Sequence, residues 1–543
     1  MAQNVLLITG GTWHDFAAIG KLLTRVLERA GYSVESTQDR QALASLGGGK
    51  YAAAVLYTCD GVWSAEQAAW LERYLKGGGA CVAIHSANAV DKGTSAEYVK
   101  VIGSRFATHG PQVEYAVTPT DAEHFVSKHM QTYQVFSELY LLGDVAEDIK
   151  PLAVAHWANA PQTMMYVREL GKGRLFYTAV GHHVPDFEVP EWQKLFLRGL
   201  RWAQGAAEKP ALKIATVGYG TRFNMARLHL TQARDAGLVP VASCDIDPAC
   251  NAAAEKDFPG LKTYTDYQQL LKDSDAEIVS LVLPHELHCP VALDVLASGR
   301  HCITEKPMAV SSAECDQMLA AAAKAGRMLS TYHNRRWDGD FLAMDEVVNR
   351  RRLIGDVFRV ECAFGGYHRP GSWWRSSRKI SGGMQYDWGA HFMFWALALT
   401  PGKPEWVVGT AQKRVWHHVD NYDHLEMYAR FDSGASLDFE ISTINKAGKP
   451  KWRILGTKGA VVDRGENRQF ELSRVEGDFQ TSEPARVRYH QDSWPRYYLN
   501  VADHLRLDDA LEITPQKAAR VIRVLHAMER AAESGRQERV EGW

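Results

Sequence analysis

The chain has no Cys-x-x-Cys pair, no basic run, and no apolar stretch approaching the roughly 18 residues that cross a bilayer. Each absence removes a class of function. The eight cysteines, at positions 59, 81, 244, 250, 289, 302, 315 and 362, mostly sit in apolar strand-like or helix-like surroundings. They are expected to be reduced core residues of a cytosolic protein, not a disulfide framework or a zinc ribbon. Basic residues number 62 against 64 acidic ones, a formal charge of −2, so nothing follows a phosphate backbone and no nucleic-acid partner is expected. The first residues run almost directly into the apolar stretch Val5–Ile8 without a basic leader. Neither secretion nor a membrane partner is expected, and the expected compartment is the cytoplasm. Internal repeats and low-complexity segments are absent as well.

At 543 residues the chain is too long for one hydrophobic core. Residues 1–203 alternate short apolar strands with helices: Val5–Ile8, a helix over 16–30, Ala53–Tyr57, a helix around 65–75, Cys81–Ile84 and Leu175–Thr178. That pattern predicts a doubly wound parallel sheet. Gln204-Gly205-Ala206-Ala207-Glu208-Lys209-Pro210 reads as a linker. Strand–helix alternation resumes to about Thr331, after which 357–363, 425–431, 435–443 and 452–456 read as strands of alternating polarity, hence a mostly antiparallel sheet. The fold class is α/β: a doubly wound domain at 1–205, a Rossmann domain at 211–332, and an α+β domain at 333–543.

The strand Ile214–Val217 is followed by Gly218-Tyr219-Gly220, an expected helix, and a second strand that ends at Cys244-Asp245. Glycines let the backbone approach a pyrophosphate, and the following helix N-terminus favours negative charge. Asp245 can accept hydrogen bonds from both ribose hydroxyls of NAD and would repel the 2′-phosphate of NADP. Cofactor contacts are expected at Gly218, Gly220, Thr221, Phe223 and Asp245. Phe223 stands where the usual pattern has its third glycine, and Gly-x-Gly alone also describes a plain strand-to-helix turn. The strand before and the aspartate after favour the cofactor.

Further landmarks follow in order: Val282-Leu283-Pro284-His285-Glu286-Leu287-His288, Glu305-Lys306-Pro307, Asn334-Arg335-Arg336-Trp337, and Gly382-Gly383-Met384-Gln385-Tyr386-Asp387-Trp388-Gly389-Ala390-His391. In this order residues 211–540 resemble the Gfo/Idh/MocA family of NAD(P)-dependent sugar and inositol oxidoreductases. The resemblance implies that Lys306, Asp387 and His391 line the site of hydride transfer and that Pro284, His285, His288 and Glu305 lie beside the cofactor. Phe394 replaces the family's acidic residue three positions after the histidine. His285-Glu286-Leu287-His288 has the spacing His-Glu-x-His rather than His-Glu-x-x-His, which suits a cofactor-side turn better than zinc.

The chemistry also follows from the residues. Asp387 and His391 are four apart and share one helix face. Oxidising a secondary alcohol needs a base for the O–H proton, a cation for the developing alkoxide and a hydride acceptor. His391 is the expected base, Lys306 the cation, Asp387 an orienting group, and NAD the acceptor. Trp373, Trp374 and Arg375 precede the Gly382-Gly383 turn. Trp374 and Arg375 are expected to meet substrate, since sugar C–H faces stack on aromatics, although tryptophans also fill domain seams.

The N-terminal region carries its own constellation in post-strand loops: Gly10-Gly11-Thr12-Trp13-His14, His85-Ser86, Thr108-His109, Ser137-Glu138, His156-Trp157, and Gly181-His182. Residues 3–204 resemble ThuA-like domains of the trehalose-utilisation type, which implies a flavodoxin-like or amidotransferase-like fold. The amidotransferase relatives place a cysteine nucleophile at a strand-to-helix elbow, whereas His85-Ser86 stands there here. His14, His85, His109, Glu138 and His182 are expected to form a second site, suited either to an acid–base pair or to a divalent metal on His14, His85 and His182. Hydrogen-bonded loop histidines are the plain alternative.

Together these features predict an NAD-dependent oxidoreductase acting on a sugar or glycoside, with C3 as a candidate carbon, joined to a domain that processes the keto-sugar. An NAD-dependent glycosidase with transient cofactor reduction, and a carbohydrate-binding protein with held NAD, are the competing readings. A homo-oligomer is expected from the family resemblance.

Overall fold

The computed structural model describes residues 3–220, 223–476, 479–480 and 484–543. It divides into two compact units, Met1–Lys209 with Leu505–Asp509, and Pro210–His504 with Ala510–Trp543.

The first unit is organised by a nine-stranded sheet. One half is parallel, in the order Ser33–Thr37, Asn4–Gly10, Ala53–Thr58, Ala80–Ile84 and Gly173–Thr178. Every residue of Ala53–Thr58 and Ala80–Ile84 is buried, as expected of parallel strands covered on both faces. The helices between them begin at sequence-encoded caps. Asp15 accepts from the Ala18 N–H, and Ser64 forms a reciprocal capping box with Gln67.

The other half corrects the expectation of an all-parallel sheet. Ala160–Leu170, Lys150–Trp157, Val113–Pro119 and Tyr133–Ser137 continue the sheet antiparallel. Trp157 pairs with Ala160 across a two-residue loop in which Ala158 and Asn159 both take positive φ, 48° and 65°. That geometry normally advertises itself as Asn-Gly or Asp-Gly, so Ala-Asn hid the hairpin. Residues 505–509 also differ from expectation by clustering with the first unit. There the buried Arg198 guanidinium donates to both oxygens of Asp509, at 3.0 and 2.7 Å.

In the second unit six parallel strands lie in the order Lys262–Tyr264, Val239–Cys244, Lys213–Val217, Ile278–Leu281, His301–Thr304 and Leu329–Thr331. Counted along the chain this is 3-2-1-4-5-6, whose order reverses beside Lys213–Val217 and opens a crevice at the strand ends there. The second sheet runs Phe479–Gln480, Gln469–Glu476, Gly459–Asp463, Trp452–Gly456, Val357–Gly365, Ser436–Ser442, His424–Phe431, Pro404–Gln412 and Glu538–Arg539, with Ala485–Arg488 also on Gln469–Glu476. Its neighbours are antiparallel except Val357–Gly365 with Ser436–Ser442. The helix Met384–Leu399 is apolar nearly all round, which suits its burial, and its Tyr386 hydroxyl donates to Glu529 of the helix Pro515–Ser534.

Candidate functional site

The glycine turn sits at the crevice. Gly218 has φ 86°, and a Cβ there would lie 2.1 Å from the Val282 carbonyl, so only glycine lets the first strand approach its neighbour. Around Gly220 the space is open, and the helix Met225–Asp235 begins without a side-chain cap, which leaves its first N–H groups available to an anion. These features fit a dinucleotide. Asp245 turns its carboxylate onto the turn: Oδ2 accepts from the Tyr219 and Gly220 N–H groups at 2.8 and 3.0 Å, and Oδ1 from Asp247. It therefore shapes the loop, and with both sites of Oδ2 taken, Oδ1 keeps one further lone pair for a ribose. Thr221 lies outside the described residues. Phe223 is exposed, its ring 5.5 Å from Trp373 and 5.4 Å from the Arg375 guanidinium.

Two expected cofactor residues point into the protein instead. His288 is fully buried with its ring nitrogens facing the Pro307 and Leu283 carbonyls at 2.7 and 3.0 Å, which makes it a strut between two strand ends. Glu305 accepts the Lys306 N–H and faces His229 Nε2 at 3.2 Å. His285, following Pro284, is buried too. Its Nδ1 lies 2.7 Å from the Ser381 carbonyl, its ring is edge-on to Trp374, and burial followed by the neighbouring His288 pushes its pKa down to about 3.

Lys306, Asp387 and His391 do come together. Lys306 Nζ donates to Asp387 Oδ1 at 2.6 Å, and Arg375 Nη1 donates to both carboxylate oxygens at 2.8 and 2.9 Å. Burial alone would raise the Asp387 pKa; Lys306 and Arg375 outweigh it and hold the carboxyl well below its ordinary range. Arg375 is itself held over Trp374 and Trp373, with its guanidinium carbon 5.1 and 5.2 Å from the ring centres. His391 lies one helical turn beyond Asp387, buried, with Nδ1 free of hydrogen bonds. Burial first, then the Lys306 charge, keeps its pKa well below the usual value, so it is a neutral base at physiological pH.

The sequence reading missed two histidines. His333 is buried with neither ring nitrogen hydrogen-bonded, stacks on Phe394 at 4.6 Å, and lies 6.0 Å from His391. Its place just past the strand Leu329–Thr331, directly before Asn334-Arg335-Arg336-Trp337, was the available signal. His229 faces Glu305, Ser280 and Tyr498 from mid-helix, where nothing in the spacing distinguishes it.

In the first unit His14, His85, His109, Glu138 and His182 converge. Glu138 Oε2 lies 3.1 Å from His182 Nδ1 and 3.6 Å from His85 Nε2, and Oε1 lies 3.5 Å from His109 Nε2. One ligand atom from each of His14, His85 and His182 falls within 4.8 Å of the others. His85 occupies the elbow after Ala80–Ile84 with φ 46°, a conformation costing a non-glycine residue about 1–3 kcal/mol and retained when its surroundings enforce it. They do: His85 Nδ1 is 2.6 Å from the Ala179 carbonyl and the Tyr177 hydroxyl donates to the His85 carbonyl. Gly181, at φ 148°, passes so close that a Cβ would come within 3.3 Å of the His85 Cβ. Buried Asp186, also missed, accepts from the Ser137 hydroxyl and the His182 N–H, joining the loops of Glu138 and His182. Burial, then His85 and His182, pushes the His14 pKa down to about 3. Burial would raise Glu138, but His182 and His85 hold it well below the carboxylate range. His156 projects from an exposed strand position and takes no part.

Comparison with known proteins gives three matches along the chain. Residues 4–203 match the trehalose-utilisation (ThuA) family. Residues 212–333 match the oxidoreductase family with an NAD-binding Rossmann fold, and residues 341–462 the GFO/IDH/MocA C-terminal domain. Scyllo-inositol 2-dehydrogenase (NADP(+)) of Bacillus subtilis is 25% identical over 367 residues, which covers 62% of this chain and 97% of that protein. An NAD-binding protein from Listeria innocua has a similar structure, with TM-score 0.54 at 26% identity over 61% of this chain and 98% of that one. The WlbA dehydrogenase from Bordetella pertussis, solved with NADH and UDP-GlcNAcA, has the same fold, with TM-score 0.53 at 22% identity over 62% of this chain and all of that one. Along the chain, then, a match to ThuA is followed by matches to the NAD-binding Rossmann fold of the oxidoreductase family and to the GFO/IDH/MocA C-terminal domain.

Proposed function

We propose that the protein oxidises a secondary hydroxyl of a sugar or glycoside with NAD, C3 being the favoured carbon, and that the ThuA domain processes the resulting keto-sugar. The observation that carries this reading is the charged cluster of Lys306, Asp387 and Arg375 beside a neutral, buried His391. His391 accepts the hydroxyl proton. Lys306 donates to the oxygen as negative charge develops, and Asp387 and Arg375 fix where its ammonium group sits. Trp374 and Arg375 present an apolar face and a donor to the ring. NAD, when bound, supplies the hydride acceptor. The Bacillus subtilis relative carries NADP(+) in its name, so the preference for NAD rests on Asp245. Its substrate, an inositol, and the nucleotide sugar held by the Bordetella pertussis enzyme both support a polyhydroxylated ring as substrate.

Oxidation at C3 acidifies the neighbouring C2–H and permits loss of the C1 substituent, a step for which His109, at the exposed edge of the cluster, provides a base. Face-to-face pairing of the antiparallel sheet into a homo-oligomer belongs to the same reading, and light scattering of the full chain checks it. Among the described residues no helix is long and apolar enough to cross a membrane. A panel of glycosides followed by NADH absorbance, with product analysis, tests the activity: NADH formed together with a keto product supports it, and neither appearing with any glycoside refutes it.

A further inference from the structure

We propose that His14, His85, His182 and Glu138 bind one divalent transition-metal ion, with a ring nitrogen from each histidine and Oε2 of Glu138 as ligands. The first reason is the state of the nitrogens. Neither ring nitrogen of His14 and not Nε2 of His85 makes a hydrogen bond, although all three are buried. A buried polar atom left unpaired costs about 1–3 kcal/mol, and histidines that merely filled loops would have found partners. Three such rings drawn from three strand ends, with ligand atoms within 4.8 Å of one another, leave these costs standing together around one point. A cation there satisfies one nitrogen of each ring at once.

The second reason is the shell around the rings. His85 Nδ1 faces the Ala179 carbonyl at 2.6 Å, which fixes its proton on Nδ1 and aims the Nε2 lone pair into the cluster. Asp186 holds the main chain of His182 through its N–H at 2.8 Å. These are orienting contacts, and the φ of 46° at His85 is accepted to keep that ring in place.

The third reason is spacing. An ion with ligands at 2.0–2.1 Å separates neighbouring ligand atoms by roughly 2.9–3.4 Å. Glu138 Oε2 lies 3.1 Å from His182 Nδ1 and 3.6 Å from His85 Nε2, close to such an edge. Three imidazoles and one carboxylate select zinc-like borderline ions, because magnesium and calcium take oxygen-rich shells. The outer side carries His109, its side chain 36% exposed, so a small molecule can reach the site. Polarising a ketone oxygen is the use such an ion offers there, and that use, unlike the binding itself, rests on the proposed function.

The test uses the untagged full-length protein, dialysed and assayed for metal by mass spectrometry, then stripped with chelator and titrated with Zn²⁺ or Co²⁺. The expected result is about one ion per chain, a rise in melting temperature on adding Zn²⁺ back, and visible ligand-field absorption with Co²⁺. His14→Ala/His182→Ala should lose the ion and both responses while still melting cooperatively. Glu138→Gln, which keeps the shape, should weaken binding by about tenfold or more. A stripped wild-type protein that shows no thermal shift or Co²⁺ spectrum, or a double variant that retains its full metal content, overturns the site. Absent metal with glycoside-dependent NADH intact removes this site and leaves the oxidoreductase reading standing. Bound metal without any sugar oxidation does the reverse.

Discussion

A lysine 2.6 Å from a carboxylate that an arginine also grips has its amino group fixed in place, and a neutral histidine one turn along the helix is ready to take a proton. Lys306→Ala and His391→Asn should therefore each lower turnover by about 10²–10⁴-fold with NAD still bound, as read by cofactor titration against protein fluorescence. Near wild-type turnover in either variant removes that residue from the mechanism. At the glycine turn, Asp245→Ser takes away the carboxylate that addresses the ribose and also the acceptor of the Tyr219 and Gly220 N–H groups. Binding of both dinucleotides should weaken, NAD more than NADP, and parallel titrations with an unchanged ratio would refute the assignment. Asp387 and His391 were legible from their spacing of four, and Lys306 from the Glu305-Lys306-Pro307 landmark that carries the family resemblance. His333 was not: its interest lies in two unpartnered nitrogens and a stacked Phe394, and both are facts of packing.

Strands of the parallel kind announced themselves as short apolar runs, and Val5–Ile8, Ala53–Tyr57 and Cys81–Ile84 fall inside observed strands. The antiparallel half of the first sheet did not. Lys150–Trp157 and Ala160–Leu170 mix Pro, Lys, Gln and Arg with apolar residues, and the loop that joins them lacks glycine. Nor could periodicity show that residues 505–509 complete the first unit, because a buried ion pair linking positions 198 and 509 leaves no local pattern. The pair makes its own prediction. Arg198→Met takes the guanidinium away from buried Asp509, which Lys194 and Arg201 approach to no nearer than 3.6 Å, so urea unfolding should show a loss of about 3 kcal/mol. A change under about 0.5 kcal/mol, ordinary for a surface site, would show the pair to be dispensable.

Over the whole molecule, burial lowers the pKa values of His285 and His333 to about 3, from an ordinary 6.5. Between those values the unfolded chain binds protons that the folded chain refuses, so stability falls as pH drops below about 6.5. The slope is at most about 1.4 kcal/mol per pH unit for each group. Urea midpoints should show no contribution from these groups between pH 7.5 and 6.5 and a decline by pH 5; a midpoint unchanged down to pH 5 contradicts their burial as neutral rings. The order of the domains was readable because each half carries its motifs at strand ends, whereas the way four histidines close around Glu138 needed the structure. The central claim, oxidation of a sugar hydroxyl by the GFO/IDH/MocA half, is tested most directly by incubating the full-length protein with NAD and a set of glycosides, following absorbance at about 340 nm and identifying products by mass spectrometry. The account predicts that NADH rises with a product two hydrogens lighter than the sugar, or with its cleavage product, and that Lys306→Ala shows neither. Cleavage of the glycoside without net NADH, or no change in any sugar while NAD remains bound, contradicts it.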